Sequence, residues 1–259
     1  MGVWTSWVTA GKQFNLKRAG LMQITWLTTV NMSKASDVIY YEGAGKIALQ
    51  RRLALVARNR IYARFVAEMK PTSSTTILDI GASDHDTREA NILEKNYPYP
   101  ENITCGIIGD GSSISREYPK VKVAQLTPGQ PLPFSDRHFD IAYSNAVLEH
   151  VGGPDQRLFF FSEAMRVARS IFVIVPNGWF PIEHHTGIPL LHYIPQLFRK
   201  ALAGTGYHHW SKIENLDFVS KNQLAREWPL GSRPTLRYAG LPLGPFSSNI
   251  IIIAPSHLG

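Results

Sequence analysis

Residues 75–84 constrain the fold more than any other stretch of this sequence. They read Thr-Thr-Ile-Leu-Asp-Ile-Gly-Ala-Ser-Asp, so an apolar strand carries Asp79 near its end and runs into a turn at Gly81. In doubly wound α/β proteins such a turn follows the first strand, at the edge of the sheet where ligands bind. The stretch therefore predicts an α/β fold with a ligand site at this turn.

The turn does not fit either of the common nucleotide-binding patterns. The dinucleotide pattern Gly-x-Gly-x-x-Gly would need glycines at positions 83 and 86, where Ser83 and Asp86 stand. A phosphate-binding loop would need Gly-Lys-Ser/Thr, and the acidic residues that follow Gly81 would repel a pyrophosphate. A ligand without phosphates and with a cationic centre is therefore favoured.

Short apolar runs alternate with helical segments from Pro71 to the end of the sequence. Alternation of this kind is typical of a mostly parallel sheet with helices on its faces. Two runs near the C terminus, 237–243 and 249–254, are joined by a Gly-Pro-Phe-Ser-Ser connection and predict an antiparallel hairpin. The other predicted strands are 76–80, 103–109, 121–126, 139–144 and 170–175, and the predicted helices are 90–96, 155–168 and 220–228.

Three strings in this order resemble the class I S-adenosylmethionine-dependent methyltransferases, within the type 11-like subgroup that acts on small molecules and lipids. They are Ile-Leu-Asp-Ile-Gly at 77–81, Leu-Pro-Phe-Ser-Asp-Arg-His-Phe-Asp at 132–140 and Ser-Asn-Ala-Val-Leu-Glu-His-Val at 144–151. The resemblance covers roughly residues 60–255. It implies a Rossmann-like, doubly wound, mostly parallel seven-stranded sheet with a C-terminal antiparallel hairpin, and S-adenosylmethionine as the cofactor.

The resemblance also implies which residues hold the cofactor. Gly81 lets the backbone approach the amino acid end, whose ammonium Asp79 helps to orient. Asp110 follows the second strand, where the family has a carboxylate that accepts from both ribose hydroxyls. The remaining predicted cofactor residues are Ala82 and Ser83 in the turn, Gly111 beside the ribose acid, Leu126 and Thr127 along the adenine, and Ser144 and Asn145 beneath the sulfonium.

The sequence departs from the family's pattern in its glycine turn, in one spacing, and near the adenine, where Thr127-Pro-Gly replaces an acidic residue that the family often has. The glycine-rich turn usually has two or three glycines, whereas Ser83 and His85 stand where the later ones are expected. The spacing from Asp79 to Asp110 is longer than the usual roughly 20 residues between the glycine turn and the ribose acid. The alternative interpretation is a turn that only connects a strand to a helix, in a protein that has lost the cofactor.

Histidines follow the fourth and fifth predicted strands. His150 could take a proton from an acceptor hydroxyl, because the ordinary histidine pKa of about 6.5 suits neutral pH. Glu183 and His185 belong to Pro-Asn-Gly-Trp-Phe-Pro-Ile-Glu-His-His-Thr at 176–186, which leaves the ligand-binding edge of the sheet. We predict these three residues as catalytic, with pocket shaping and loop packing as the alternatives.

The Glu-His-His run at 183–185 also resembles a metal site. Adjacent histidines in an extended loop point apart, so Glu183 can pair with only one of His184 and His185. No Cys/His set in the sequence has the spacing of a zinc site. We therefore expect no metal ion.

The sequence divides into an N-terminal extension, 1–35, and a methyltransferase domain, 36–259. The extension is expected to be disordered or to belong to a misassigned start. Within the domain, residues 178–215 look like a lid inserted over the pocket, and their aromatic composition suits a lipid or aromatic acceptor. A basic helix is predicted over 43–70. Its apolar side would include Leu53, Val56, Ile61 and Phe65.

The net charge and the single cysteine of the sequence indicate the kind of binding partner and the cellular compartment. The net charge of +7 favours an anionic partner, and the basic helix would contact a membrane surface or a polyanion, or be only a solvated face. Nucleic acid ranks lower, because Ser144-Asn-Ala-Val replaces the Asn/Asp-Pro-Pro-aromatic string of base methyltransferases. We expect a small-molecule or lipid- or glycan-linked acceptor, with an RNA methyltransferase and a catalytically silent partner protein as alternatives. The single Cys105 favours the cytoplasm, with or without membrane association.

Overall fold

The short apolar runs of the sequence form one seven-stranded sheet. The computed structural model describes residues 48–84, 90–228 and 233–255. The strands are β1 (Ile77–Ile80), β2 (Ile103–Ile107), β3 (Lys122–Gln125), β4 (Phe139–Asn145), β5 (Ala168–Pro176), β6 (Thr235–Ala239) and β7 (Asn249–Pro255). The α-helices of the described part are α1 (Ala48–Met69), α2 (Ile92–Asn96), α3 (Ser112–Glu117), α4 (Pro154–Val167), α5 (Pro195–Leu202) and α6 (Lys221–Glu227).

The strand order is β3-β2-β1-β4-β5-β7-β6. The first five strands pair in parallel, and β7 lies antiparallel between β5 and β6. This arrangement confirms the doubly wound sheet with a C-terminal hairpin that the sequence predicted. Because β1, β2, β4 and β5 are parallel neighbours, the loops that follow them meet at one edge of the sheet.

The core lies on both faces of the sheet, as the alternation along β5 shows. Ile171, Val173 and Val175 face one cluster of buried side chains, and Phe172 and Ile174 face the other. Helix α4 packs on the first cluster and helix α1 on the second. Helices on both faces bury the parallel strands from both sides, which explains their nearly continuous apolar sequence.

Helix α1 is basic, but its buried side is narrower than the sequence predicted. Ala57, Ile61 and Phe65, spaced four residues apart, are buried against the sheet. Leu53 and Val56 were placed on the inner side, yet they are exposed by 39% and 41%. The assignment of these two residues was wrong, because only the second half of the helix lies against the sheet. Residues 43–47 of the predicted helix, and the N-terminal extension 1–35, lie outside the described residues.

A capped helix and an insertion follow β5 in the C-terminal half. Ser220 accepts a hydrogen bond from the backbone N–H of Gln223 and caps helix α6, as expected from the sequence. The insertion, residues 178–215, lies between β5 and α6 and contains helix α5 and two 3₁₀ turns, Leu191–Tyr193 and His208–Ser211.

Across the described ranges, no helix is both long enough and apolar enough to cross a bilayer.

Candidate functional site

The turn after β1 needs glycine at position 81 for two reasons. Gly81 has φ +87°, in the region that favours glycine, and its N–H donates to the Gly106 carbonyl at 2.8 Å. A Cβ at this position would overlap Val147, which follows β4. The backbone of the turn is therefore packed directly against the β4 loop.

Side chains fix the rest of this turn, where the family has further glycines. The Ser83 N–H donates to Asn91 Oδ1 at 3.0 Å, and Asn91 Nδ2 donates back to the Ser83 carbonyl at 2.9 Å. Asp84 Oδ1 accepts from the N–H groups of Ser113 and Ile114, at the start of α3. Asn91 could not be identified from the sequence, because its contact with Ser83 depends on a left-handed backbone at φ 51°.

Asp79 is buried and lies beside a second carboxyl group. Burial, together with the nearby Glu94 carboxyl that hydrogen-bonds to it, raises the pKa of Asp79 well above its ordinary value. Glu94 also accepts a hydrogen bond from the Cys105 thiol at 3.3 Å. Burial beside Glu94 therefore favours the protonated form of Asp79. Sequence analysis missed Glu94, because its proximity to Asp79 is a product of the tertiary fold.

Asp110 stands exposed in the loop after β2. Its Oδ1 accepts from the N–H of Ser112 at 3.1 Å and from the Ser112 hydroxyl at 2.9 Å, which fixes the direction of the carboxylate. Gly109 and Gly111 on either side have φ +144° and +67°. Gln125 of β3 donates to the Gly109 carbonyl at 2.8 Å and holds the loop to the neighbouring strand.

The other predicted cofactor residues lie at the same edge of the sheet but differ in exposure. Leu126 is half-buried against Gly106, and Thr127 is exposed. Ser144 is fully buried and donates its hydroxyl to the Ile80 carbonyl at 2.8 Å, so this side chain joins β4 to β1. Ala82, Ser83 and Asn145 are half-buried, and Gly111 is buried.

Glu183, His185 and His150 form a continuous hydrogen-bonded chain. His185 Nδ1 donates to Glu183 Oε1 at 2.7 Å, and the Nε2 atoms of His185 and His150 are 3.2 Å apart. His150 Nδ1 donates to the Asn215 carbonyl at 2.6 Å. The three residues predicted as catalytic are thus brought together, and Asn215 at the end of the insertion joins them. The adjacent His184 points elsewhere, with its Nε2 at 3.1 Å from the Ser248 carbonyl.

The surroundings of Glu183, His185 and His150 determine which of these side chains are charged. The Glu183 carboxylate accepts four hydrogen bonds, from the N–H and Nδ1 of His185 and from the N–H and hydroxyl of Thr186. Burial opposes its ionisation, but His185 and these donors outweigh burial and hold the pKa of Glu183 well below its ordinary value. Burial and the neighbouring His185 ring lower the pKa of His150 to about 3. Glu183 is therefore ionised and His150 is a neutral ring.

Glu149 is a further member of this group that the prediction did not include. It is only 1% exposed, and no described residue donates a hydrogen bond to either carboxylate oxygen. Its Oε1 lies 3.7 Å from His150 Nε2. Burial raises the pKa of Glu149 to about 7. The adjacent Glu149 and His150 were the sequence signal for this residue. The burial of the Glu149 carboxylate, and its lack of hydrogen-bond donors among the described residues, could not be predicted from that pair.

A small recess of about 20 Å³, room for about one water molecule, opens to solvent beside this cluster. Its lining includes Glu149, Glu183, His185 and His192 together with parts of the insertion. Trp210 of the insertion is buried over the cluster, with its ring centroid 4.7 Å from that of His185 and 5.6 Å from that of His150. The insertion therefore covers the histidines and forms part of the wall of the recess.

Residues 110–174 match the family model described as "Methyltransferase domain". An uncharacterized protein of Mycobacterium tuberculosis, from strains CDC 1551 / Oshkosh and ATCC 25618 / H37Rv, is 38% identical to this chain over 55 residues. These residues are 21% of this chain, and the match spans about a fifth (19%) of the length of those curated relatives.

Two solved structures have the same fold at low sequence identity. A SAM-dependent methyltransferase of Thermotoga maritima, described as a possible histamine N-methyltransferase, is 16% identical with a TM-score of 0.50. That match covers 80% of this chain and 91% of the other. The complex of the Haloferax volcanii Trm112 methyltransferase activator with its methyltransferase gives 12% identity and a TM-score of 0.52, covering 85% and 97%. At these identities the likeness shows the fold.

Proposed function

We propose that this chain, whose methyltransferase domain is of the class I S-adenosylmethionine-dependent type, transfers a methyl group to a lipid-linked acceptor whose reacting group enters the recess beside Glu149 and His185. One observation carries the proposal. The loops after β1, β2 and β4 hold the predicted cofactor residues, and the recess opens at the neighbouring ends of β4 and β5. Donor and acceptor would then meet at one edge of the sheet.

The residues at the ends of β1 and β2 fit this cofactor. Bound S-adenosylmethionine supplies an electrophilic methyl group on a sulfonium, together with an ammonium and a ribose diol. Asp79 is an acid at the end of β1, and Asp110 is a carboxylate held in a fixed direction by Ser112. A two-oxygen acceptor suits a diol, and an acid suits an ammonium. The Gly81 turn provides close backbone approach without a phosphate-binding loop.

Asp79 would bind the ammonium group as an ionised carboxylate. The raised pKa of Asp79 favours its protonated form before a cation arrives. A cation at hydrogen-bonding distance favours the carboxylate, so binding of the ammonium would release that proton. Affinity for an ammonium-bearing ligand is then expected to increase as pH rises.

The recess and the insertion beside it form the acceptor side of the proposed site. The insertion supplies one wall of the recess and covers the histidines with Trp210. Covering groups of this kind exclude water from the space where the methyl group is transferred, which protects the donor from hydrolysis. The chain's main contribution is to hold the two reactants in line.

A lipid-linked acceptor is favoured by the outer surface of the same insertion. Large apolar side chains are exposed there, and contacts within the insertion bring several of them together: Ile182 pairs with Pro189, next to Leu190, and the Trp179 ring contacts Tyr193, next to Ile194. The exposed apolar residues of the insertion are Trp179, Ile182, Leu190, Ile194, Leu197 and Ile213. Exposed apolar patches of this kind mark surfaces that bind lipid or another apolar partner.

Transfer of labelled methyl groups to fractionated acceptors tests the proposal. The purified chain would be incubated with methyl-labelled S-adenosylmethionine and, separately, with a membrane lipid extract, a water-soluble glycan fraction and total RNA. We expect label in the lipid fraction. Asp110→Asn should reduce transfer to any acceptor, whereas Ile194→Ser should reduce transfer to lipid by weakening contact with the lipid phase.

Other outcomes would point to the alternatives. Label confined to RNA, and lost when Arg51 and Arg52 are both replaced by Gln, would overturn the lipid acceptor in favour of the basic helix as an RNA-binding surface. Label confined to the glycan fraction would remove the lipid requirement. A folded chain that labels none of the three fractions and does not bind S-adenosylhomocysteine would favour a catalytically silent partner protein.

A further inference from the structure

The contact between His150 and His185 requires a positive centre between the two rings. Each ring uses its Nδ1–H as a donor, to the Asn215 carbonyl in one case and to the Glu183 carboxylate in the other. A neutral imidazole that donates at Nδ1 has a lone pair at Nε2. The two Nε2 atoms face each other at 3.2 Å, where two lone pairs would repel. Either a proton or a metal ion between them removes that repulsion.

Glu149 favours the metal ion over the proton. It is buried, and neither of its oxygens receives a hydrogen bond from a described residue. Its Oε1 lies 3.7 Å from His150 Nε2, and one ligand atom from each of Glu149, His150 and His185 falls within 4.8 Å of the others. A buried carboxylate without donors is costly unless it is protonated or coordinates a cation.

We propose that Glu149, His150 and His185 bind a divalent transition metal ion, with Zn²⁺ as the best match. Two imidazoles and one carboxylate form a known ligand set of zinc sites that keep a fourth position open. Two nitrogens at tetrahedral positions around zinc lie about 3.3 Å apart, close to the observed 3.2 Å. The ring planes are nearly perpendicular, at 89°, so each ring can direct its Nε2 to a common point.

The partners of the two histidines match the second shell of a metal site. Ligating histidines usually donate their other ring N–H to a carboxylate or a backbone carbonyl, which fixes the tautomer and the direction of the ring. His185 donates to Glu183, and His150 donates to the carbonyl of Asn215. Glu183, with its four hydrogen bonds, is thus a positioning residue for His185 and not a ligand.

Charge balance also favours a dication over a single proton. Glu149 and Glu183 bring two carboxyl groups into one buried cluster with two imidazole rings. A single proton between the rings could offset the charge of only one carboxylate. A dication would neutralise both carboxylates. A metal ion between the two Nε2 atoms would also accept the lone pair of each.

A fourth ligand would come from the recess, whose lining includes Glu149 and His185. This step rests on the proposed function, which places the acceptor there. A hydroxyl bound to Zn²⁺ is far more acidic than a free one, so the metal ion would help to deprotonate an oxygen acceptor. The proton would pass to solvent through the open mouth of the recess.

The test is metal binding by the tag-free full chain after treatment with a chelator. Titration with Zn²⁺ should show about one equivalent bound, and Co²⁺ in its place should give the strong visible absorption of tetrahedral coordination. Glu149→Gln and His185→Asn should each lower the affinity for Zn²⁺ by more than about 100-fold. Glu183→Gln should lower it by about 10–100-fold, the usual effect of a second-shell change.

His184→Gln is the matched control, because His184 is the neighbour of a proposed ligand but faces the Ser248 carbonyl. Its affinity for Zn²⁺ should equal that of the unchanged chain. Circular dichroism of every variant establishes that it is folded. Absence of stoichiometric binding by the unchanged chain, or an equal loss in His184→Gln, would overturn the metal site and leave a shared proton between the rings. Binding of Zn²⁺ with no effect of its removal on methyl transfer would overturn the acceptor step alone.

Discussion

At the residue scale, the paired acids Asp79 and Glu94 are the feature most easily tested without a substrate. Asp79 has a raised pKa, so the folded state keeps a proton that the unfolded chain loses near pH 4. Between those two pKa values the folded state binds more protons than the unfolded state. The free energy of unfolding therefore falls as pH rises through this range, by at most about 1.4 kcal/mol per pH unit for one group.

Asp79→Asn should remove this dependence, because the amide resembles the protonated acid and does not titrate. Urea unfolding of both proteins at pH 5, 6, 7 and 8 measures the effect. We expect the variant to gain stability relative to the unchanged chain as pH rises. A difference that stays constant over this range would show that Asp79 is ionised in the folded protein. Glu101→Gln, at an exposed position, is a suitable control.

At the element scale, Arg157 connects the helices that support the recess. It lies fully buried in α4 and pairs with Asp217 at 2.6 Å and with Glu227 of α6 at 2.8 Å. The N–H of Asp217 in turn donates to the Glu149 carbonyl at 2.9 Å. A single arginine therefore joins α4, α6 and the segment that follows the insertion to the loop carrying Glu149.

Arg157→Met should destabilise the fold by about 3–5 kcal/mol, because it leaves two carboxylates without their buried cation. Chemical unfolding measures this change. Arg169→Met is the matched control: Arg169 is 63% exposed and lies 3.4 Å from Asp140, so its loss should cost less than about 1 kcal/mol. Similar values for the two variants would contradict the structural role given to Arg157.

The sequence predicted the long apolar strands more accurately than the short helices. The predicted strands at 139–144 and 249–254 became β4 and β7 with one added residue at an end, because buried parallel and central strands are continuous apolar runs. Helix α3 was missed because it has only six residues and begins after Gly111 instead of a capping side chain. Helix α5 was not identified within the aromatic insertion, although Pro195 at its first position is typical of a helix start.

At the scale of the whole molecule, the exposed apolar side chains of the insertion predict binding to lipid surfaces. Leu190 and Ile194 are exposed by 56% and 57%. Sedimentation with vesicles of mixed neutral and anionic phospholipid should recover the chain in the pellet. Ile194→Ser together with Leu197→Ser should reduce this binding at any salt concentration, because it removes apolar contact.

Arg51→Gln with Arg52→Gln is the comparison in the same experiment, since both residues are exposed on α1. If this helix also contacts the lipid, the variant should weaken binding to anionic vesicles mainly at low salt. The chain remaining in the supernatant with every vesicle composition would contradict the lipid-linked acceptor. Equal binding by the serine double variant would show that the insertion is not the contact surface.

The assembly of the cluster formed by His150, Glu183 and His185 could be predicted from sequence only in part. His150, Glu183 and His185 were each identified, since parallel strands bring the loops after β4 and β5 to one edge. Their mutual contacts could not be predicted, because the two histidines are 35 positions apart and their ring directions depend on Glu183 and Asn215. The expectation of no metal ion rested on the adjacent residues 183–185 and on Cys/His spacing. Glu149 joins the cluster only because the tertiary fold buries it beside His150.

The central claim is that the ends of β1 and β2 hold S-adenosylmethionine, and calorimetric titration with S-adenosylhomocysteine tests it most directly. The unchanged chain should bind one equivalent, and Asp110→Asn should weaken binding by about 1.5–3 kcal/mol, the range for hydrogen bonds to charged groups. Asn keeps the Oδ1 that accepts from Ser112, and Ser112→Ala, which removes only the hydroxyl contact, should leave affinity nearly unchanged. No binding by the folded chain, or unchanged affinity in Asp110→Asn, would contradict this account of the cofactor site.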